Sequence, residues 1–132
     1  MAKVNNDSKK GFSLKGFFYR VFIDPLICGL RRRVAGMIKP GEMVIDIACG
    51  TGALSVAMTR RARYVTGIDF SEDMILTATR MARGRKIGNV TFVLGDATNL
   101  SCYPDNSFDL AVTSMAMHQF APETGVKVLS EM

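Results

Sequence analysis

Apolar residues follow two alternating rhythms along this chain. Short apolar runs alternate with longer stretches in which apolar positions recur three and four residues apart. The short runs are Met43–Ile47, Tyr64–Ile68, Val90–Leu94 and Phe108–Thr113, and they read as strands. Leu26, Ile27, Leu30, Val34, Met37 and Ile38 share one helical face, with Asp24 as N-cap, Pro25 in the first turn and Pro40-Gly41 as the stop. Arg31, Arg32 and Arg33 cannot all lie on that face, so at least two point to solvent. A helix is predicted from Ala53 to about Arg61. Another follows the cap at Ser71, with Glu72 and Asp73 favoured by the dipole of its first turn. Its inner face is Met74, Ile75, Ala78, Met81 and Ala82, and Gly84 ends it. Pro104 to Ser107 is a turn, and a last helix begins at Pro122. Strands alternating with helices imply an α/β fold built of parallel βαβ units.

Composition narrows this picture. A chain of 132 residues, 48% of them apolar, suits one packed domain. No apolar run reaches the roughly 18–20 residues that span a bilayer. The N-terminus lacks the apolar run and small-residue cleavage site of a signal peptide. Cys28, Cys49 and Cys102 match neither a disulfide framework nor a zinc pattern, so reduced thiols in a cytoplasmic protein are expected. With one histidine and no Cys-x-x-Cys, no metal site is expected. Charge is uneven: residues 1–40 carry nine basic and two acidic side chains. Residues 1–14 read as a flexible basic tail ahead of a single domain over 15–132. No RNA-binding signature is interleaved with these charges, so nucleic acid is not the expected partner.

The candidate chemistry lies where strands end. Asp46, Asp69 and Asp96 fall at or just after the ends of three consecutive strands, which share one edge of a parallel sheet. Ligands of open α/β sheets bind at that edge. After Asp46 comes the glycine turn Ala48-Cys49-Gly50-Thr51-Gly52. A dinucleotide site wants G-x-G-x-x-G, but Ser55 stands at the third glycine. Asp46 also puts negative charge where a phosphate would sit. S-adenosylmethionine has no phosphate and suits the carboxylates better. Asp46 would receive its ammonium, Asp69 would grip both ribose hydroxyls, and Asp96 would accept the adenine amino group.

The segments VIDIACGTG, GIDFSEDMI and GDATNLSCYPDNSFDLAVTSMAMHQF resemble successive signature segments of class I S-adenosylmethionine-dependent methyltransferases. The likeness covers about residues 15–132 and is nearest to the ubiquinone/menaquinone-biosynthesis-like group that methylates small molecules. It implies a Rossmann-like parallel sheet flanked by helices, with N-terminal helices, truncated to strand order 3-2-1-4 where the family has seven strands. By the same resemblance, Ala48, Cys49, Gly50, Thr51 and Gly52 form the cofactor loop and Asp69 holds the ribose. Phe70 and Met74 would flank the adenine, Asp96 and Ala97 would read its edge, and Ser114 and Met115 would close over the methionine end. The bound group would be S-adenosylmethionine or its product S-adenosylhomocysteine. Ala48 departs from the family, which often has glycine there.

His118, the one histidine, follows the fourth strand and is a candidate base or acceptor contact, against a packing or solvated role. Cys49 reads as a thiol of the turn rather than a nucleophile. A sheet of four strands would leave the fourth with a bare edge, so a homo-oligomer covering it is expected. Two readings stay open: a methyltransferase of a small-molecule acceptor, completed by oligomerisation, and a cofactor-binding fragment without catalysis.

Overall fold

The computed structural model describes residues 24–113 and 122–131. The chain divides into two compact units, Met1–Leu30 and Arg31–Met132. In chain order the elements are α1 (Asp24–Met37), β1 (Met43–Ile47), α2 (Ala53–Met58), β2 (Tyr64–Asp69), α3 (Glu72–Gly84), β3 (Val90–Leu94), β4 (Leu110–Thr113) and α4 (Pro122–Glu131). The strands form one parallel sheet in the order β3-β2-β1-β4, as the resemblance implied.

Local differences from the expected elements have local causes. On α1, Ile27 is buried, but Leu30 and Met37 are 49% and 78% exposed, so the apolar stripe is narrower than its spacing suggested. The second helix ends at Met58 instead of Arg61. Arg61 N and Ala62 N both donate to the Met58 carbonyl, and the Thr59 hydroxyl donates to Val56 O at 2.7 Å, closing the turn. Ser71 caps α3 by accepting from Met74 N. Gly84 is the last residue of that helix, and the left-handed position of the exit falls to Lys86 (φ +55°). The fourth strand starts at Leu110, not Phe108. Asp109 N donates to Met43 O, and the Asp109 carboxylate accepts Met43 N at 2.8 Å, so a side chain replaces the next rung of the ladder.

Register sorts side chains to the two faces of the sheet. Val44, Val65, Leu110 and Val112 pack with Val34, Ala35 and Ile38 and with Leu54 and Met58 of α2. Ile45, Ile47, Ile68 and Ala111 pack instead with Ala97, Leu100, Tyr103 and Phe108 of the segment between β3 and β4. Each fully buried aliphatic side chain here contributes roughly 1.5–3 kcal/mol. The centre of the sheet is apolar up to the last residues of β1 and β2, where Asp46 and Asp69 are buried. At the opposite edge Arg60, Arg61, Arg85 and Lys86 are exposed just past the C-termini of α2 and α3, where helix dipoles favour cations.

Gly67 in β2 is required by packing. A Cβ there would lie 2.7 Å from Cδ1 of Phe92 and 3.0 Å from Sγ of Cys49. Gly67→Ala should therefore cost about 1–3 kcal/mol. Gly84→Ala, where a Cβ meets nothing within 4 Å, should instead stabilise by about 0.5–1 kcal/mol. Urea denaturation of the two variants checks this; equal midpoints would contradict the packing at Gly67.

Candidate functional site

Two buried carboxylates and one glycine turn make the site. The turn leaves β1 at Ile47 and enters α2 at Ala53. It reverses through three left-handed residues, Ala48 (φ +56°), Gly50 (φ +56°) and Gly52 (φ +76°). The two glycines serve different needs. A Cβ on Gly50 would meet nothing within 4 Å, so that side of the turn is open to a ligand. A Cβ on Gly52 would lie 2.6 Å from Cζ of Phe92 and 2.8 Å from Cβ of Ala78, so that side is closed by packing. Cys49 N donates to Ile68 O at 2.9 Å and Gly52 N to Cys49 O at 3.0 Å, tying the turn to the end of β2.

Asp69 completes that tie. Its Oδ2 accepts Gly50 N at 2.8 Å and its Oδ1 accepts Ser71 N at 3.0 Å. Both oxygens thus hold a backbone amide, and each keeps a second lone pair for a ligand hydroxyl. The expected two-pronged grip on a ribose would share these oxygens with the backbone. Phe70 and Met74, immediately beyond, are 78% and 40% exposed. Met74 was expected on the inner face of its helix; only Ala78 and Ala82 are buried there. The result is two apolar side chains standing in solvent beside a buried carboxylate.

Asp46 is 1% exposed. Its Oδ2 accepts the hydroxyl of Ser55 at 2.5 Å, while Oδ1 is buried with no hydrogen-bond partner among the described residues. Burial above all, then the nearby Asp69 charge, pushes its ionisation up to about 7 against the pull of Ser55. The thiol of Cys49 is likewise pushed up, first by burial and then by Asp46 and Asp69, so it is no nucleophile at neutral pH. Among the described residues no ion pair reaches either carboxylate. The pair is a poor place for a phosphate and a fitting one for a cation or a hydroxyl donor.

Asp96 differs from the other two. It is exposed, and its Oδ1 accepts both the N–H and the hydroxyl of Thr98, at 2.8 and 2.7 Å. These bonds, the backbone one first, hold its carboxyl below the usual range. The neighbouring Gly95 N donates to Asp69 O at 2.9 Å, which brings this loop to the same sheet edge. Ala97 is drawn into the apolar cluster beneath. Thr51 is exposed at the tip of the turn. Ser114, Met115 and His118 lie outside the described residues. No metal-ligating cluster occurs among the described residues. A groove of about 520 Å³ is lined in part by Tyr103, Phe108, Leu110 and Ala111, and not by Asp46, Asp69 or Asp96.

Sequence reasoning missed two supports of the site. Ser55 reads in sequence only as a replaced glycine; its spacing of nine residues from Asp46 across a turn gives no signal of a hydrogen bond. Phe92 fills the space left by Gly52 and Gly67. Gly67 in the middle of an apolar strand was the one available signal of that close approach.

Similarity to known proteins bears on this geometry. A family model described as a methyltransferase domain matches residues 44–132. A demethylmenaquinone methyltransferase of Corynebacterium kroppenstedtii is 39% identical over 82 residues, covering 62% of this chain and 32% of that protein. The crystal structure of the PH0226 protein from Pyrococcus horikoshii OT3 superposes with a TM-score of 0.73 at 32% identity, covering 92% of this chain and 59% of that one. A structure of Haemonchus contortus phosphoethanolamine N-methyltransferase 1, in complex with phosphoethanolamine and S-adenosylhomocysteine, matches at TM-score 0.69 and 25% identity, over 80% of this chain and 22% of that one. The chain spans 32% to 41% of the length of the demethylmenaquinone methyltransferases it matches.

The left-handed alanine of the turn has a measurable consequence. An L-residue with a Cβ pays about 1–2 kcal/mol in that conformation, and glycine does not. Ala48→Gly should raise the unfolding free energy by about 0.5–1 kcal/mol once glycine's larger unfolded entropy is counted. Chemical denaturation reads this directly, and a lowered midpoint would contradict the strained angle.

Proposed function

The chain belongs to the methyltransferase-domain family, and from that premise we propose that it binds S-adenosylmethionine and takes part in methyl transfer to a small-molecule acceptor. The observation that carries the reading is the orphaned, buried Oδ1 of Asp46 beside an open glycine turn that Asp69 holds in place. A carboxylate oxygen so placed calls for a donor, and the cofactor's ammonium is one. Asp69 would take the ribose hydroxyls on its free lone pairs. Phe70 and Met74 would cover the faces of the adenine, where burial replaces their exposure to water. Asp96 and Ala97 would meet the adenine edge, with Oδ1 of Asp96 already committed to Thr98. Ala48, Cys49, Thr51 and Gly52 would contribute the backbone of the loop, and Ser114 and Met115 its far wall.

The cofactor, when bound, supplies a methyl group on a sulfonium. What this chain's residues supply is position and exclusion of water, the main sources of acceleration in such a displacement. The acceptor class follows the relatives, a demethylmenaquinone methyltransferase among them. His118 would stand on the acceptor side.

No helix among the described residues is long and apolar enough to cross a membrane. We further propose a cytoplasmic location, supported by free thiols at Cys28, Cys49 and Cys102. A homo-oligomer formed through β4 completes the proposal. Among the described residues nothing pairs with the outer edge of β4, and its Leu110 and Ala111 line the apolar part of the groove beside it.

Calorimetry with S-adenosylhomocysteine tests the cofactor. Asp69→Ala should weaken binding by tenfold or more, as expected for loss of charge-assisted hydrogen bonds of about 1.5–3 kcal/mol. Unchanged affinity in that variant would overturn the assignment. Light scattering at micromolar concentration should give a mass of two or more chains, and the mass of a single chain would remove the oligomer.

A further inference from the structure

Asp46 poses a problem that the cofactor reading does not by itself resolve. Its Oδ1 is shut off from solvent, and among the described residues no donor reaches it. Among the described residues, the groups that face it offer no positive charge. Asp69, at the end of the paired strand β2, is a second carboxylate, and the Cys49 thiol of the turn is neutral. On the other side β4 sets Val112 in register with it, and α2 presents the Ser55 hydroxyl, which is spent on Oδ2. An anion left unpaired in such a place is heavily penalised, and the ordinary relief is a proton.

We propose that Asp46 carries a proton on Oδ1 in the free protein and releases it to solvent when an ammonium-bearing ligand binds, while Ser55 holds Oδ2 in both states. The ammonium and the proton compete for one oxygen. Ser55 is the positioning residue: its O–H donates to Oδ2 whichever state Oδ1 is in. It donates more strongly to the carboxylate, so it sets how readily the proton leaves. The inference rests on the cofactor reading above, and it adds that binding is linked to deprotonation of one buried residue. An ionisation near 7 places that exchange in the neutral range.

The sign follows from linkage. The protonated form excludes the ligand's cation, so affinity rises with pH until Asp46 is ionised and then levels off. With the midpoint near 7, binding at pH 6 should be about tenfold weaker than at pH 8. At pH 7 about half a proton should leave per ligand bound, and almost none at pH 8.5.

The experiment is calorimetry of S-adenosylhomocysteine with the whole chain, at pH 6 to 8.5, in paired buffers of different ionisation enthalpy. The wild-type enthalpy should depend on the buffer at pH 7 and lose that dependence at pH 8.5. Ser55→Ala should move the midpoint of the affinity profile upward by a unit or more. Ser55→Cys, near in size and a weaker donor, should fall between the two. Asp46→Asn, neutral throughout, should bind more weakly, with an affinity that no longer rises between pH 6 and pH 8 and without the proton release seen at pH 7. Binding of the ligand by wild type with a buffer-independent enthalpy from pH 6 to 8 would overturn the inference and leave the cofactor reading standing. Proton release that persists in Asp46→Asn would also overturn it. No binding by wild type at any pH would instead remove the cofactor reading, and the inference with it. If Ser55→Ala fails to fold, the wild-type profile and Asp46→Asn decide the matter.

Discussion

The Asp69 carboxylate is the tie on which the site depends. One oxygen holds Gly50 of the turn that follows β1, and the other holds Ser71 of the turn that follows β2. Each bond joins a charge to a backbone amide, the stronger class of hydrogen bond, in a place sheltered from water. Together they lock two separate crossovers of the sheet to one side chain. The carbonyl of the same residue accepts from Gly95, so the loop after β3 is tied to it as well. Three loops that would otherwise be independent are set in one arrangement at the end of the sheet.

Beneath this polar tie lies an apolar wedge. The ring of Phe92 occupies the space that side chains on Gly52 and Gly67 would need. The glycine turn therefore sits low on the sheet, against β2 and β3, and its open side at Gly50 faces away from that packing. The turn accepts a cost for its shape, since Ala48 takes a left-handed angle that suits glycine. The carboxylate of Asp46 adds another, with a buried oxygen that has no partner among the described residues. Strained or unpaired groups gathered in one turn are what a site organised for a ligand contains.

Much of the architecture was legible in the order of residues. Periodicity separated strands from helices, because a residue's place on a strand or helix fixes its face at once. The parallel pairing followed from the alternation, and the resemblance supplied the strand order β3-β2-β1-β4 that the structure has. The ends of elements were less legible. Thr59, Asp109 and Lys86 decide where α2 stops, where β4 begins and how α3 exits, each through a hydrogen bond or an angle that no apolar pattern encodes.

The site divides in the same way. The sequence alone determined that Asp46, Asp69 and a glycine turn would meet at one edge, because parallel strands deliver their C-terminal ends to the same side. It also determined that the turn would suit a ligand without phosphate, since Ser55 and Asp46 stand where a dinucleotide site needs glycine and no negative charge. Tertiary structure alone decided what each aspartate does. Asp69 became a clamp for backbone amides, Asp46 a buried group half satisfied by Ser55, and Asp96 an exposed loop residue turned toward Thr98. The reason is physical: a carboxylate's role depends on how much water it keeps and which donors reach it. Both are set by packing among residues far apart in the chain.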